Sequence, residues 1–226
     1  MRNKWWAKLL RLIGIVFMSL TAAFTLLGGA GTSCVALNPT GWGDKFAGIA
    51  PYQWLWIVFV LAGIAVGVMG VRAVVLLVKG RGNAYRYALI ALIMGTVLNL
   101  IHMYASRALR GSSMPVDAVA YTNLMTLILF LIFRIPAIWQ AVDYAKPAGE
   151  KETGKQAAAI ALGASGLLAL TIPFMMAPTH TINGINFGDA WHVVLTLTGL
   201  GLMLAGVITA IHREAAAARQ EALELN

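Results

Sequence analysis

The sequence predicts an all-α integral membrane protein, a bundle of six transmembrane helices with cytoplasmic N- and C-termini. Three observations point there. Hydrophobic residues make up 59% of the 226-residue chain and charged residues only 12%, against about 25% charged in an ordinary soluble domain. Six apolar segments, about 9–30, 52–78, 85–107, 118–142, 156–177 and 190–212, reach the roughly 20 residues that cross a bilayer. Lys and Arg are shared unequally between the joining loops. A soluble fold of this size could not bury so much apolar surface and keep a polar exterior. In lipid every backbone N–H and C=O must be paired within the protein, so only helices and closed barrels span. The apolar runs do not alternate with polar residues as barrel strands do, which leaves helices.

The elements follow in order. The stretch from Met1 to Gly31 opens with positive charge, as a secretory signal does. Its apolar core, Leu12 to Ala30, is longer than the roughly 7–15 residues of such signals, so we read it as a retained first helix. Cys34 is the only cysteine, and Gly31 stands where a lipoprotein cleavage box wants a Leu-like residue. No intramolecular disulfide or cysteine cluster is possible. Trp5 and Trp6 at one end, and Trp42, Tyr52, Trp54 and Trp56 at the other, form the aromatic belts expected at headgroup level.

Pro51 fits the first turn of the second helix, where its missing N–H costs nothing. Asn83 and Asp117 are placed to cap the third and fourth helices. Thr153 to Gln156, "TGKQ", reads as a capping box for the fifth, after a polar linker over 143–155. Asp189 is placed to cap the sixth. Pro136 and Pro173 should kink their helices or end a regular stretch. The alanine-rich tail, 213–226, favours a helix running on into the cytoplasm. No soluble domain is expected within 1–226. Small residues four apart, Gly63 and Gly67, Ala159 and Gly163, Gly206 and Ala210, and the row Ala157, Ala161, Ser165, Ala169, allow close helix approach. The pattern leaves open whether they meet helices of this chain or of another.

Orientation follows from short-loop Lys and Arg. With the N-terminus inside, the inner side holds Arg2, Lys4, Lys8, Arg11, Lys79, Arg81, Arg86, Lys146, Lys151, Lys155, Arg213 and Arg219, twelve in all. The outer side holds three, Lys45, Arg107 and Arg110. The net charge of +8 therefore flanks apolar spans and forms no continuous patch for nucleic acid. The expected location is the plasma (inner) membrane.

Residues able to carry chemistry are few. No Asp or Glu falls within the six spans, which disfavours a proton-driven cycle. Arg134 lies inside the fourth span, a little over one turn from its centre. An arginine there costs several kcal/mol unless it snorkels or finds a partner. Backbone carbonyls freed by Pro136, a lipid phosphate or an anionic ligand are its candidates. Asn99 and His102 are three apart on the third helix and share a face; Asn99 is a further candidate for ligand or lipid contact.

His102, His180 and His192 gather at the outer side, in or beside "APTHTINGINFGDAWH", 177–192. Three readings compete for them. In the plainest, they are polar interface residues, Asp189 is a helix cap and no cofactor is bound. In the second, His102 and His192 are axial ligands of one b-type haem, with Arg107 or Arg110 on its propionates. In the third, His180, Asp189 and His192 hold a metal such as zinc, although their spacing matches no strong motif. There is no GxxxxGK[ST] loop, HExxH or CxxC. The expectation is a non-enzymatic accessory or scaffold subunit of a larger membrane complex, partnered by lipid and by other subunits or itself. The alternatives are a single-haem redox subunit and a carrier or receptor for a small anion.

Overall fold

The computed structural model describes residues 5–142, Tyr144, 151–176, the pairs 181–182 and 185–186, Asp189 and 192–224. Helix α1 runs from Trp5 to Leu37. A 3₁₀ turn at Pro39–Trp42, the short α2 (Asp44–Ala47) and a second 3₁₀ turn at Ala50–Tyr52 lead into α3, Gln53–Val78. Then come α4 (Ala84–Arg110), α5 (Val116–Ile132), α6 (Pro136–Val142) and α7 (Lys151–Met176). A two-residue antiparallel ladder pairs β1 (Thr181–Ile182) with β2 (Ile185–Asn186). Helix α8 covers His192–Glu224. Five helices are long and apolar enough to cross a membrane, or six if the bent pair α5–α6 counts as one span.

Several boundaries move. Helix α1 continues beyond the expected end of its span near residue 30, and its 33 residues reach about 50 Å at 1.5 Å each. Asn38 follows it and caps the 3₁₀ turn, its side chain accepting from the Gly41 N–H at 3.1 Å. Trp42 Nε1 donates to the Cys34 carbonyl at 3.0 Å and so folds the following turn back onto the helix. Asp117 does not cap the fourth span: α5 starts at Val116, and Pro115 holds the cap position. Asn83 precedes α4 but makes no side-chain capping bond. Residues 151–155 belong to α7 rather than to a linker, so Thr153 to Gln156 lie inside a helix.

The segment 118–142 is broken at Pro136, where a kink or the end of a regular stretch was expected. Helix α5 ends at Ile132, and α6 leaves it at 98°. Pro136 is the physical reason: it cannot donate into the preceding turn, but it suits the first turn of a new helix. Pro173, near the end of α7, stays inside its helix.

The small residues of α3 are used within the chain. A Cβ on Gly29 of α1 would lie 2.9 Å from the Gly63 carbonyl carbon, and one on Gly67 would lie 2.7 Å from Leu26 Cα. Backbones this close exclude any side chain and give α1 and α3 their long contact. Helices α7 and α8 meet the same way, through Gly166, Gly199 and Gly206. Ala157, Ala161 and Ala169 are buried, and Ala157 sits in the cluster of Ile15, Met18, Ala73 and Leu77. Thus α7 joins the α1–α3–α4–α5 core, and α8 packs along α7.

Candidate functional site

Call the end of the bundle with Trp5 and the 79–83 turn the near end, and the end with residues 38–52 and 111–115 the far end. Between them lies a buried polar seam. Helix α4 contributes Thr96, Asn99, His102 and Ser106, all buried on one face because they recur at the three- and four-residue steps of a helix. Helix α1 adds Thr21 and Thr25, and α5 adds Asn123 and Thr126. Thr21 and Thr126 share a hydroxyl hydrogen bond of 2.6 Å. Asn123 Nδ2 donates to Thr25 Oγ1 at 2.8 Å and to the Val119 carbonyl at 2.9 Å. Asn99 Nδ2 donates to the Gly95 carbonyl at 2.7 Å. Gly95 is small of necessity, since a Cβ there would collide with Asn123 Oδ1. The Thr96 hydroxyl is buried and has no hydrogen-bond partner among the described residues.

His102 is 6% exposed. Its ring stacks on Phe59 with centroids 4.3 Å apart and stands edge-on to Trp56 at 5.9 Å. Among the described residues neither ring nitrogen has a hydrogen-bond partner. The ring instead edges a void lined also by Gly29, Phe59, Gly63, Asn99 and Val116, with room for about one water molecule. Exposed Pro115 and half-buried Thr32 rim it toward the far end.

The other candidates separate. His192, the first residue of α8, is exposed and does not line this void. Arg107 and Arg110 tie down the 111–115 turn. Arg107 Nε donates to Ser113 Oγ at 2.7 Å, and its Nη2 pairs with Asp117 Oδ2 at 3.1 Å. Arg110 donates to the Met114 carbonyl and lies 4.8 Å from the Phe46 ring centre. Asp189 is exposed, and His180 lies outside the described residues. Among the described residues no three His, Cys, Asp or Glu side chains gather as a metal site would require.

Arg134 lies at the near end, in the break between α5 and α6. Its guanidinium is 5.4 Å from the Trp139 ring centre and 5.8 Å from that of Tyr85. Both are cation–π distances. The expected partners of this arginine did not include aromatic rings. Asn99 is fourteen residues beyond Tyr85 on α4, roughly 21 Å along the axis, so Arg134 and Asn99 serve different sites.

The sequence missed a buried cation. Arg11, counted there among the flanking charges, is 4% exposed. Its Nη1 donates to the Ala141 carbonyl at 3.0 Å, and Tyr144 Oη donates to the Arg11 carbonyl at 3.2 Å. Burial pushes the Tyr144 phenol well above the ordinary tyrosine range, so it remains a neutral donor. Nothing in the spacing of 11, 141 and 144 signals this, because the contact exists only once α6 turns back across α1.

These features define a helical membrane protein with a polar seam in its core and an arginine–aromatic cluster at one end. No family model, no curated protein and no solved structure matches the chain.

Proposed function

We propose that the chain is a non-catalytic accessory or scaffold subunit of a larger assembly in the plasma (inner) membrane. Its near end faces the cytoplasm, as the twelve-to-three distribution of Lys and Arg favours. One observation carries the proposal: α8 is joined to the body along α7 and leaves an open face. Only 11% of its most apolar stretch is buried, against 28–44% for the other single spans. Val194, Leu197, Leu204 and Ile208 are exposed on that face, and among the described residues nothing lies within 4 Å of where a Gly201 Cβ would stand. A glycine inside a helix lowers its stability by about 1 kcal/mol relative to alanine. Gly201 receives no compensating close contact among the described residues. A helix of a partner subunit would supply one.

The test is Gly201→Leu. The variant should keep the thermal midpoint of the wild type in mild detergent and lose its place in a high-mass species on native gels of membrane extracts. A wild-type chain migrating only as a monomer in detergent would overturn the proposal.

A haem at His102 is a weaker reading. The void beside the imidazole has room for about one water molecule, and His192 does not line it. A Soret band abolished by His102→Ala would require the surrounding helices to part, and a colourless protein is expected.

A further inference from the structure

We infer that the α5–α6 junction binds the phosphate of an anionic phospholipid in the leaflet at the near end. The 17 residues of α5 cover about 26 Å, a little less than the roughly 30 Å hydrocarbon core. The break at 133–135 therefore places Arg134 at the headgroup boundary, where phosphates lie. The 98° turn then lays α6 across the end of the bundle.

The guanidinium rests on a prepared shelf. Tyr85 is held by its hydroxyl, which donates to the Phe130 carbonyl at 2.6 Å. Its ring meets Trp139 edge-on, centroids 4.7 Å apart. The cation–π contacts are made by the guanidinium carbon at 5.4 and 5.8 Å from the ring centres. Among the described residues no hydrogen bond engages the guanidinium N–H donors, which remain for an oxyanion. Arg134 is exposed, and among the described residues no carboxylate pairs with it. Two more exposed arginines stand by the start of α4: Arg86, next to Tyr85 in sequence, and Arg72, 5.1 Å from the Tyr87 ring centre. Neither has an acidic partner among the described residues. Uncompensated cations at phosphate depth select a lipid with net negative charge over a zwitterionic one. A planar guanidinium held beside two aromatic rings adds bidentate recognition of the phosphate.

The full chain in nanodiscs of equal phosphatidylglycerol and phosphatidylcholine tests this by native mass spectrometry. Wild-type protein should retain phosphatidylglycerol preferentially. Arg134→Gln should lower that preference about fivefold, the effect expected for one basic residue near a membrane surface. Trp139→Leu, which leaves the charge and removes the shelf, should lower it part of the way, and Arg134→Lys likewise. Equal retention of both lipids by the wild type, or an undiminished preference in a folded Arg134→Gln protein, would overturn the inference. So would millimolar inorganic phosphate displacing the lipid, since the site would then be one for a soluble anion.

Discussion

Gly95 and Asn123 are predicted to be energetically coupled. Asn123 is 1% exposed and holds α5 to α1 through Thr25. Its Oδ1 and Cγ fill the space that any side chain at position 95 would need, and Val66 Cγ1 lies 3.3 Å from the Gly95 Cβ position. Gly95→Ala forces the asparagine out of its rotamer or spreads α4 from α5. Overpacking of this kind costs about 1–3 kcal/mol. Asn123→Ala sacrifices the bond to Thr25. Hydrogen bonds between membrane helices average about 0.6 kcal/mol and reach about 1.7, and the deleted side chain leaves a small cavity besides. In the double variant the alanine at 95 enters the space vacated at 123. Its destabilisation should fall short of the sum of the two single variants by about 1–2 kcal/mol, within the usual range for residues in contact. The assay is reversible unfolding in mixed detergent micelles, followed by tryptophan fluorescence, on all four proteins. Additivity within about 0.5 kcal/mol would show that the two side chains do not meet, and the α4–α5 packing described above would be wrong.

Three further outcomes are expected. Gly29→Leu should separate α1 from α3 and lower the thermal midpoint sharply, whereas Gly163→Ala, with open space at its Cβ position, should be neutral or stabilising by up to about 1 kcal/mol; similar losses at both positions would contradict the packing. Because burial raises the Tyr144 phenol, its contribution to stability is present below about pH 10, the ordinary tyrosine value, and declines as pH rises beyond it. Wild-type protein should therefore lose more stability between pH 9 and 11 than Tyr144→Phe does. In a Cys34→Ser background, cysteines replacing Lys45 and Lys155 should react with an impermeant maleimide from opposite sides of the membrane, and labelling from one shared side would reverse the proposed orientation.

The membrane class and the approximate positions of the spans were legible in the sequence, because lipid imposes a local requirement. Each helix needs its own run of apolar residues, whatever its neighbours do. The glycines of α3 were legible as packing residues, but their partners, Gly29 and Leu26, were not. Periodicity marks a face without saying what covers it. Pro136 announced a break, yet not the 98° turn that sets Arg134 beside Tyr85 and Trp139 and brings Ala141 and Tyr144 to Arg11. His102 was visible as a polar residue on an apolar helix. Its stack on Phe59 and the Thr25–Asn123 bond join residues 43 and 98 apart in sequence, and only the packing of α1, α3, α4 and α5 creates them. Composition and hydropathy thus determined the solvent and the class of fold, since both are sums over single residues. Tertiary structure decided which polar groups meet, since that depends on helix azimuth and crossing, which residues distant in the chain set jointly.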